Sequence, residues 1–199
     1  MQYLYRKEGK VRFDERVAAY NQKPAIFWFT GLSGAGKSTI ADEFEKRLFN
    51  HGRFVFSLDA DDLRKKLNAD LGFSMEDRSE NIRRAAVVAR LMQDAGLIVL
   101  ATFISPTREI RKKAREIARE SLFFEIFVKA SLDTCITRDP KGFYKKAMNG
   151  EIKNYTGIAS GFEEPDNPEL VLNTDVDDLD TCVKKLMLLA TRAGVIKEE

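Results

Sequence analysis

Histidine and tryptophan occur once each in this 199-residue chain, and cysteine only twice. His51 falls near an expected helix end and reads as a surface or capping residue rather than a metal ligand. Cys135 and Cys182 lie far apart, outside any CxxC pair, and read as reduced thiols of a cytoplasmic protein. An excess of charge of one sign is also missing: 33 Lys and Arg against 31 Asp and Glu leave a net charge of +2. A general nucleic-acid binder needs a concentrated basic stripe, so no nucleic-acid partner is expected. Long apolar runs are absent too. The longest, Ala95 to Leu100 extended to Ile104 across Thr102, falls short of the roughly 20 residues that cross a bilayer. Nothing at the start reads as a signal peptide, so no membrane partner is expected. There are no repeats and no low-complexity linker.

What is present is ordinary for a globular chain: 44% hydrophobic and 32% charged residues, in a length that suits one domain with a substantial core. Residues 1–23 are polar and mixed in charge, an N-terminal extension with room for a short helix; the domain proper is expected over 24–199. Apolar runs at 25–30, 54–58, 97–103, 123–128 and 170–172 alternate with helical patterns near 37–50, 61–68, 77–95, 106–120 and 132–138. The last helix carries Leu179, Val183, Leu186 and Ala190 as one apolar stripe. Several strands are apolar on both faces, as in covered parallel sheets. The pattern predicts an α/β fold, a doubly wound, mainly parallel five-stranded sheet with helices on both faces. Residues 139–168 break the alternation with prolines at 140, 165 and 168 and glycines at 142, 150, 157 and 161. This stretch is too long for an idle loop and reads as a mobile lid.

Gly31-Leu32-Ser33-Gly34-Ala35-Gly36-Lys37-Ser38-Thr39 matches GxxxxGK[ST], with a strand before it and a helix after. Such glycines let backbone N–H groups wrap phosphate oxygens at a helix N-terminus. Lys37 can neutralise the β- and γ-phosphates and the Ser38 hydroxyl can ligate Mg²⁺, which implies a nucleoside triphosphate with Mg²⁺. The third strand ends LIVLATFISP, without the acid that many such proteins use to support Mg²⁺. Carboxylates follow the second strand instead, in Asp59-Ala60-Asp61-Asp62. In an extended segment Asp59 and Asp61 point the same way. Asp59 is read as Mg²⁺ support and Asp61 as the base for an attacking hydroxyl, with helix capping the competing role for one of them. A base beside an acceptor pocket, with a lid to exclude water, is the equipment of a small-molecule kinase rather than of a switch.

Arg64, Arg78, Asn81, Arg83 and Arg84 follow. Arg78 and Asn81 share a helix face, and guanidinium groups suit phosphate or sulfate, so the acceptor is expected to be anionic. Arg84, and with it Arg83, fits a solvated face paired to Glu80. Phe73 is able to stack on a flat base.

In this order GLSGAGKST, LDADDLRKKLNADLGFSMEDRSENIRR, AGLIVLATFISP, RDPKGFYKKAMNGEIKNYTGI and EEPDNPELVLNT resemble adenylyl-sulfate kinase, over about residues 24–175. The resemblance implies transfer of the ATP γ-phosphate to the 3′-hydroxyl of adenylyl sulfate, the sulfate-activating step that yields 3′-phosphoadenylyl sulfate. It implies an acceptor site of Asp61, Asp62, Leu63, Arg64, Phe73, Arg78, Asn81, Ile104, Ser105, Lys141, Asn154 and Tyr155. Phe73 and Tyr155 would sandwich adenine. ATP would sit on residues 31–39, with Arg138 near its adenine or phosphates. Family members often form dimers, and a sulfate adenylyltransferase is the functional partner the resemblance suggests. The chain departs from the family at DADD, where DGDN is usual, at Tyr155 in place of phenylalanine, and in IASGFEEP. Asp62 is the feature that favours a related P-loop kinase with a different acceptor. Lys37, Ser38, Asp59, Asp61, Arg78 and Asn81 together speak against a non-catalytic nucleotide-binding module.

Overall fold

Five short apolar runs become five strands: β1 (Ile26–Thr30), β2 (Val55–Asp59), β3 (Ile98–Thr102), β4 (Phe123–Lys129) and β5 (Leu170–Asn173). They pair in the order β2-β3-β1-β4-β5, and every pairing is parallel. The computed structural model describes residues 9–118, 122–152 and 155–197. Eight helices lie among them: α1 (Phe13–Tyr20), α2 (Lys37–Asn50), α3 (Ala60–Lys65), α4 (Met75–Asp94), α5 (Arg108–Ala118), α6 (Leu132–Arg138), α7 (Phe143–Met148) and α8 (Leu179–Arg192).

Strands β1 and β3 are buried along their whole length because helices cover both faces. Side chains alternate across the sheet. Phe27 and Phe29 meet Phe44 of α2 and Leu186 of α8 on one side, while Ile26 and Trp28 meet Ile82 of α4 and Ile110 of α5 on the other. Phe29, Asp59 and Thr102 stand level in register, so the loops leaving β1, β2 and β3 converge on one edge. Ligands bind at that edge in open α/β sheets.

The elements depart from expectation in four places. Helix α3 begins at Ala60, with Asp59 as its N-cap, so Asp61 sits in a first helical turn rather than an extended segment. The expected lid contains α7, capped by the Asp139 carboxylate, which accepts from the N–H groups of Tyr144 and Lys145. In α8 only Val183, Leu186 and Ala190 of the expected stripe are buried; Leu179 is exposed at the helix start, and Cys182 takes its place in the core.

Lastly, residues 13–23 are folded onto the domain rather than appended to it. Tyr20 packs on Phe54 with ring centroids 4.6 Å apart and lies so close to Gly96 that a Cβ there would meet its ring at 2.7 Å. The buried Gln22 side chain bridges two strand starts. Its Nε2 donates to the carbonyls of Phe54 and Gly96, each at 2.9 Å, and its Oε1 accepts from the Phe54 N–H at 2.8 Å. Removing one partner of a buried hydrogen bond costs about 1–3 kcal/mol per stranded group. Gln22→Ala is therefore expected to cost about 2–4 kcal/mol, read as a lower urea midpoint at unchanged m-value. An unchanged midpoint would show that this segment contributes nothing to the fold.

Candidate active site

The turn between β1 and α2 is held against β4 and α6 by positions that only glycine suits. Gly31 has φ +143°, and a Cβ there would overlap the carbonyl oxygen of Val128. Gly34, at φ +76°, would bring its Cβ to 2.9 Å from the Cys135 carbonyl oxygen. The loop and the start of α2 line one cleft of about 1050 Å³ through residues 33–40. Leu32 turns behind the loop, onto the side of Leu132 and Gly157.

Within the loop the part-buried Lys37 ammonium donates to the carbonyls of Gly31 and Leu32 at 3.0 and 2.7 Å. Burial disfavours its charged form and lowers its pKa to about 8. One residue on, Ser38 Oγ donates to Asp59 Oδ2 at 3.0 Å. Thr102, at the end of β3 where an acid was missing, donates to the same oxygen at 2.7 Å, and the Asp61 N–H donates to Oδ1 at 2.8 Å. Burial alone would raise the Asp59 pKa, but these three hydrogen bonds outweigh it and hold the carboxyl below its ordinary value. Asp59 therefore combines the helix-capping role with a place beside Ser38. Among the described residues no three or more His, Cys, Asp or Glu side chains cluster as a protein-only metal cage. Two adjacent hard oxygen donors at the mouth of a phosphate loop fit Mg²⁺, which takes one or two protein ligands and completes its shell with phosphates and water.

Asp61 points across the cleft and pairs with Lys141, whose pKa is raised first by its hydrogen bond to that carboxylate. Arg64 lies over the Phe73 ring, 4.4 Å from its centroid, and donates to the Gly72 carbonyl at 2.9 Å. Arg78 donates to the Phe73 carbonyl at 3.0 Å and to the Thr156 hydroxyl on the opposite wall. Burial lowers the pKa of both arginines, and in Arg64 the neighbouring Arg78 adds to it. Two part-buried guanidiniums in one cleft are donors of the kind that suit an anion. Asn81 and Ser105 are buried cleft-lining residues beside Ile104. Ser105 adopts φ +46°, and its hydroxyl accepts from the Trp28 indole N–H at 3.0 Å. Tyr155 stands edge-on to Tyr144, whose hydroxyl donates to the Ser33 carbonyl at 3.0 Å. Arg138 donates to the Thr174 carbonyl and hydroxyl at 2.7 and 3.0 Å, beside the phosphate loop. Asn154 lies outside the described residues.

Two expected site residues lie elsewhere. Each helical residue turns about 100° from the last. With α3 starting at Ala60, the cleft is lined by Ala60, Asp61 and Arg64 of this helix but not by Asp62 or Leu63. The Asp62 side chain is 71% exposed, 3.9 Å from Lys65, and Leu63 is buried in the core layer of Trp28 and Ile82. The extra carboxylate of DADD thus lies outside the cleft that Arg64 and Arg78 line. Arg83 and Arg84 are engaged outside the cleft, with Glu80 and with Glu80 and Asp70 respectively.

Sequence reasoning missed Arg111. Its side chain is 3% exposed, pairs with Glu125 at 2.7 Å, and donates to the carbonyls of Ser105 and Glu163, each at 2.7 Å. It ties the loop after β3 to the end of the 139–168 segment. Its spacing of three and seven from the buried Ala114 and Ala118 was the available signal, since it puts a charge in the apolar stripe of α5.

The lowered pKa of Lys37 fixes a pH dependence. A bound phosphate favours the ammonium, so above about pH 8 nucleotide binding must take up a proton. The Kd for a Mg²⁺–nucleoside triphosphate, measured by calorimetry, is expected to rise several-fold between about pH 7 and 9, within the limit of about tenfold per pH unit. Lys37→Met should bind weakly with a flat profile; a flat profile in the parent chain would contradict the assignment.

The family model described as adenylylsulphate kinase matches residues 23–173. An adenylyl-sulfate kinase of Clostridium kluyveri is 52% identical over 172 residues, which cover 86% of this chain and 86% of that protein. The bifunctional enzyme NodQ of Rhizobium meliloti is 56% identical over 165 residues, 83% of this chain but 26% of NodQ, so the chain spans about a quarter of that relative. Among solved structures, the Mycobacterium tuberculosis APS kinase CysC, in complex with AMPPNP and APS, superposes with a TM-score of 0.81 at 45% identity, covering 84% of this chain and 98% of that one. With five parallel strands, the phosphate loop and the arginine-lined cleft in one domain, the chain belongs to the adenylyl-sulfate kinase family.

Proposed function

We propose that this chain transfers the γ-phosphoryl group of ATP to the ribose 3′-hydroxyl of adenylyl sulfate, yielding ADP and 3′-phosphoadenylyl sulfate. The observation that carries this reading is the position of Asp61. Its carboxylate lines the same cleft as the Ser38–Asp59 pair of the phosphate loop and the Arg64–Phe73–Arg78 cluster.

In this reading Lys37 and the loop amides bind the ATP phosphates, and Arg138 borders the same nucleotide. Mg²⁺, held by Ser38 and Asp59, would offset charge on the β- and γ-phosphates. Arg64 and Arg78 hold the phosphosulfate with charged hydrogen bonds, and the adenine of the acceptor rests between Phe73 and Tyr155. Asp61 takes the proton of the 3′-hydroxyl, and Lys141 holds that carboxylate and adds positive charge beside the transferring group. Ile104 and Ser105 form the wall opposite. Residues 139–168 serve as the lid of a kinase domain over 24–199 and meet the acceptor side through Lys141 with Asp61 and Thr156 with Arg78.

The same reading makes an enzyme that adenylates sulfate the supplier of the acceptor; a match to one quarter of a bifunctional relative supports such a partner. Two free, buried cysteines suit a reducing cytoplasm. Among the described residues no helix is long and apolar enough to cross a membrane.

The reading is tested by ADP release with MgATP and adenylyl sulfate, AMP or simple alcohols as acceptors. Turnover is expected with adenylyl sulfate; turnover only with another acceptor would overturn it. Asp61→Asn should keep ATP affinity and lose about 10²–10⁴-fold in kcat, and an unchanged kcat would remove Asp61 as the base. Arg78→Ala should raise the adenylyl sulfate KM by about tenfold or more while leaving the ATP KM nearly constant; equal effects on both would take Arg78 out of the acceptor site.

A further inference from the structure

Asn68 lies in the turn between α3 and α4 and is wholly buried. Its backbone is fixed on both sides, donating to the Leu63 carbonyl at 2.8 Å and accepting from the Leu71 N–H at 3.1 Å. From its side chain, Nδ2 donates to Oδ1 of Asn81 at 2.9 Å, while its own Oδ1 meets no donor. Asn81 is 4% exposed and lines the cleft one helical turn from Arg78. Leaving a buried carbonyl oxygen without a donor is costly, and an apolar side chain at position 68 would avoid that cost. The amide at 68 is therefore in place for the one bond it makes.

A carboxamide holds one acceptor oxygen and two N–H donors. With its oxygen turned back to Asn68, Asn81 has only N–H to offer the cleft. Beside Arg64 and Arg78 that N–H extends a surface of donors, as an anion requires. A carbonyl in the same place would oppose the anion and leave the amide nitrogen facing Asn68.

We propose that Asn68 is a positioning residue for the acceptor: it fixes the Asn81 carboxamide with its N–H toward the bound nucleotide and its C=O away. Leu63 serves the site through the same chain, as a core residue whose carbonyl anchors the Asn68 turn. The inference rests on the adenylyl sulfate reading above.

Steady-state kinetics of the full chain with MgATP and adenylyl sulfate test it, using Asn68→Asp, Asn68→Ala, Asn81→Ala and the double Asn68→Ala/Asn81→Ala. Aspartate at 68 only accepts, so it draws the Asn81 N–H inward and turns the C=O to the cleft. The adenylyl sulfate KM should then rise by about tenfold, with the ATP KM within about twofold. Asn68→Ala should raise the acceptor KM less, and nothing further in the Asn81→Ala background, because its effect passes through Asn81. Thermal melts identify any variant that fails to fold; if Asn68→Asp is lost that way, the alanine cycle decides. An unchanged acceptor KM in the Asn68 variants, or additive effects in the cycle, would overturn the inference. A parent chain that does not turn over adenylyl sulfate sinks the substrate reading, whereas a competent parent with indifferent Asn68 variants sinks this inference alone.

Discussion

The Asp59 carboxylate is the junction on which the site depends. It ends β2, caps α3, accepts from Thr102 at the end of β3, and accepts from Ser38 at the start of α2. Four elements are thereby fixed to one pair of oxygens. A part-buried carboxylate is tolerated there because both oxygens are hydrogen-bonded, which also keeps it ionised. Parallel pairing makes the junction available: Asp59 and Thr102 are register partners, so an acid on one strand end reaches the place that the other strand leaves without one.

From that cap the acceptor side follows by rotation. A helix that starts at Ala60 sends Asp61 and Arg64 into the cleft, Asp62 to solvent and Leu63 into the core. The same turn that aims Asp61 into the cleft therefore carries the second carboxylate of DADD to solvent, away from Arg64 and Arg78. The arginines are preorganised in turn. Arg64 lies on Phe73, and Arg78 is bonded to the Phe73 carbonyl, so the ring and both guanidinium groups form one unit. Less of their side-chain entropy is left to lose on binding.

Much of this was legible in the residues. The central strands β1 and β3 were visible as apolar runs because both their faces are covered, and the phosphate loop was visible because glycine, lysine and serine are needed at fixed spacing. Other features were hidden for physical reasons. The start of α3 turns on a cap, a single residue's choice that composition does not encode, and Asp62 and Leu63 were misplaced with it. The density of proline and glycine in 139–168 masked α7, which depends on the Asp139 cap. Arg111 was hidden because a charged residue in a charged helix reads as solvated, and Asn68 because an asparagine between helices reads as a turn residue. Such residues are functional by what they hold, and that is visible only once their partners are in place.

With Asp61 as the proposed base for the attacking hydroxyl, the phosphoryl group leaving ATP passes to one ribose hydroxyl rather than to water. Phosphorus NMR of the product mixture from MgATP and adenylyl sulfate measures this directly. The account predicts one new phosphomonoester on the ribose 3′-carbon, in equal amount to the ADP formed. Inorganic phosphate in its place, or an ester at another position, would contradict it.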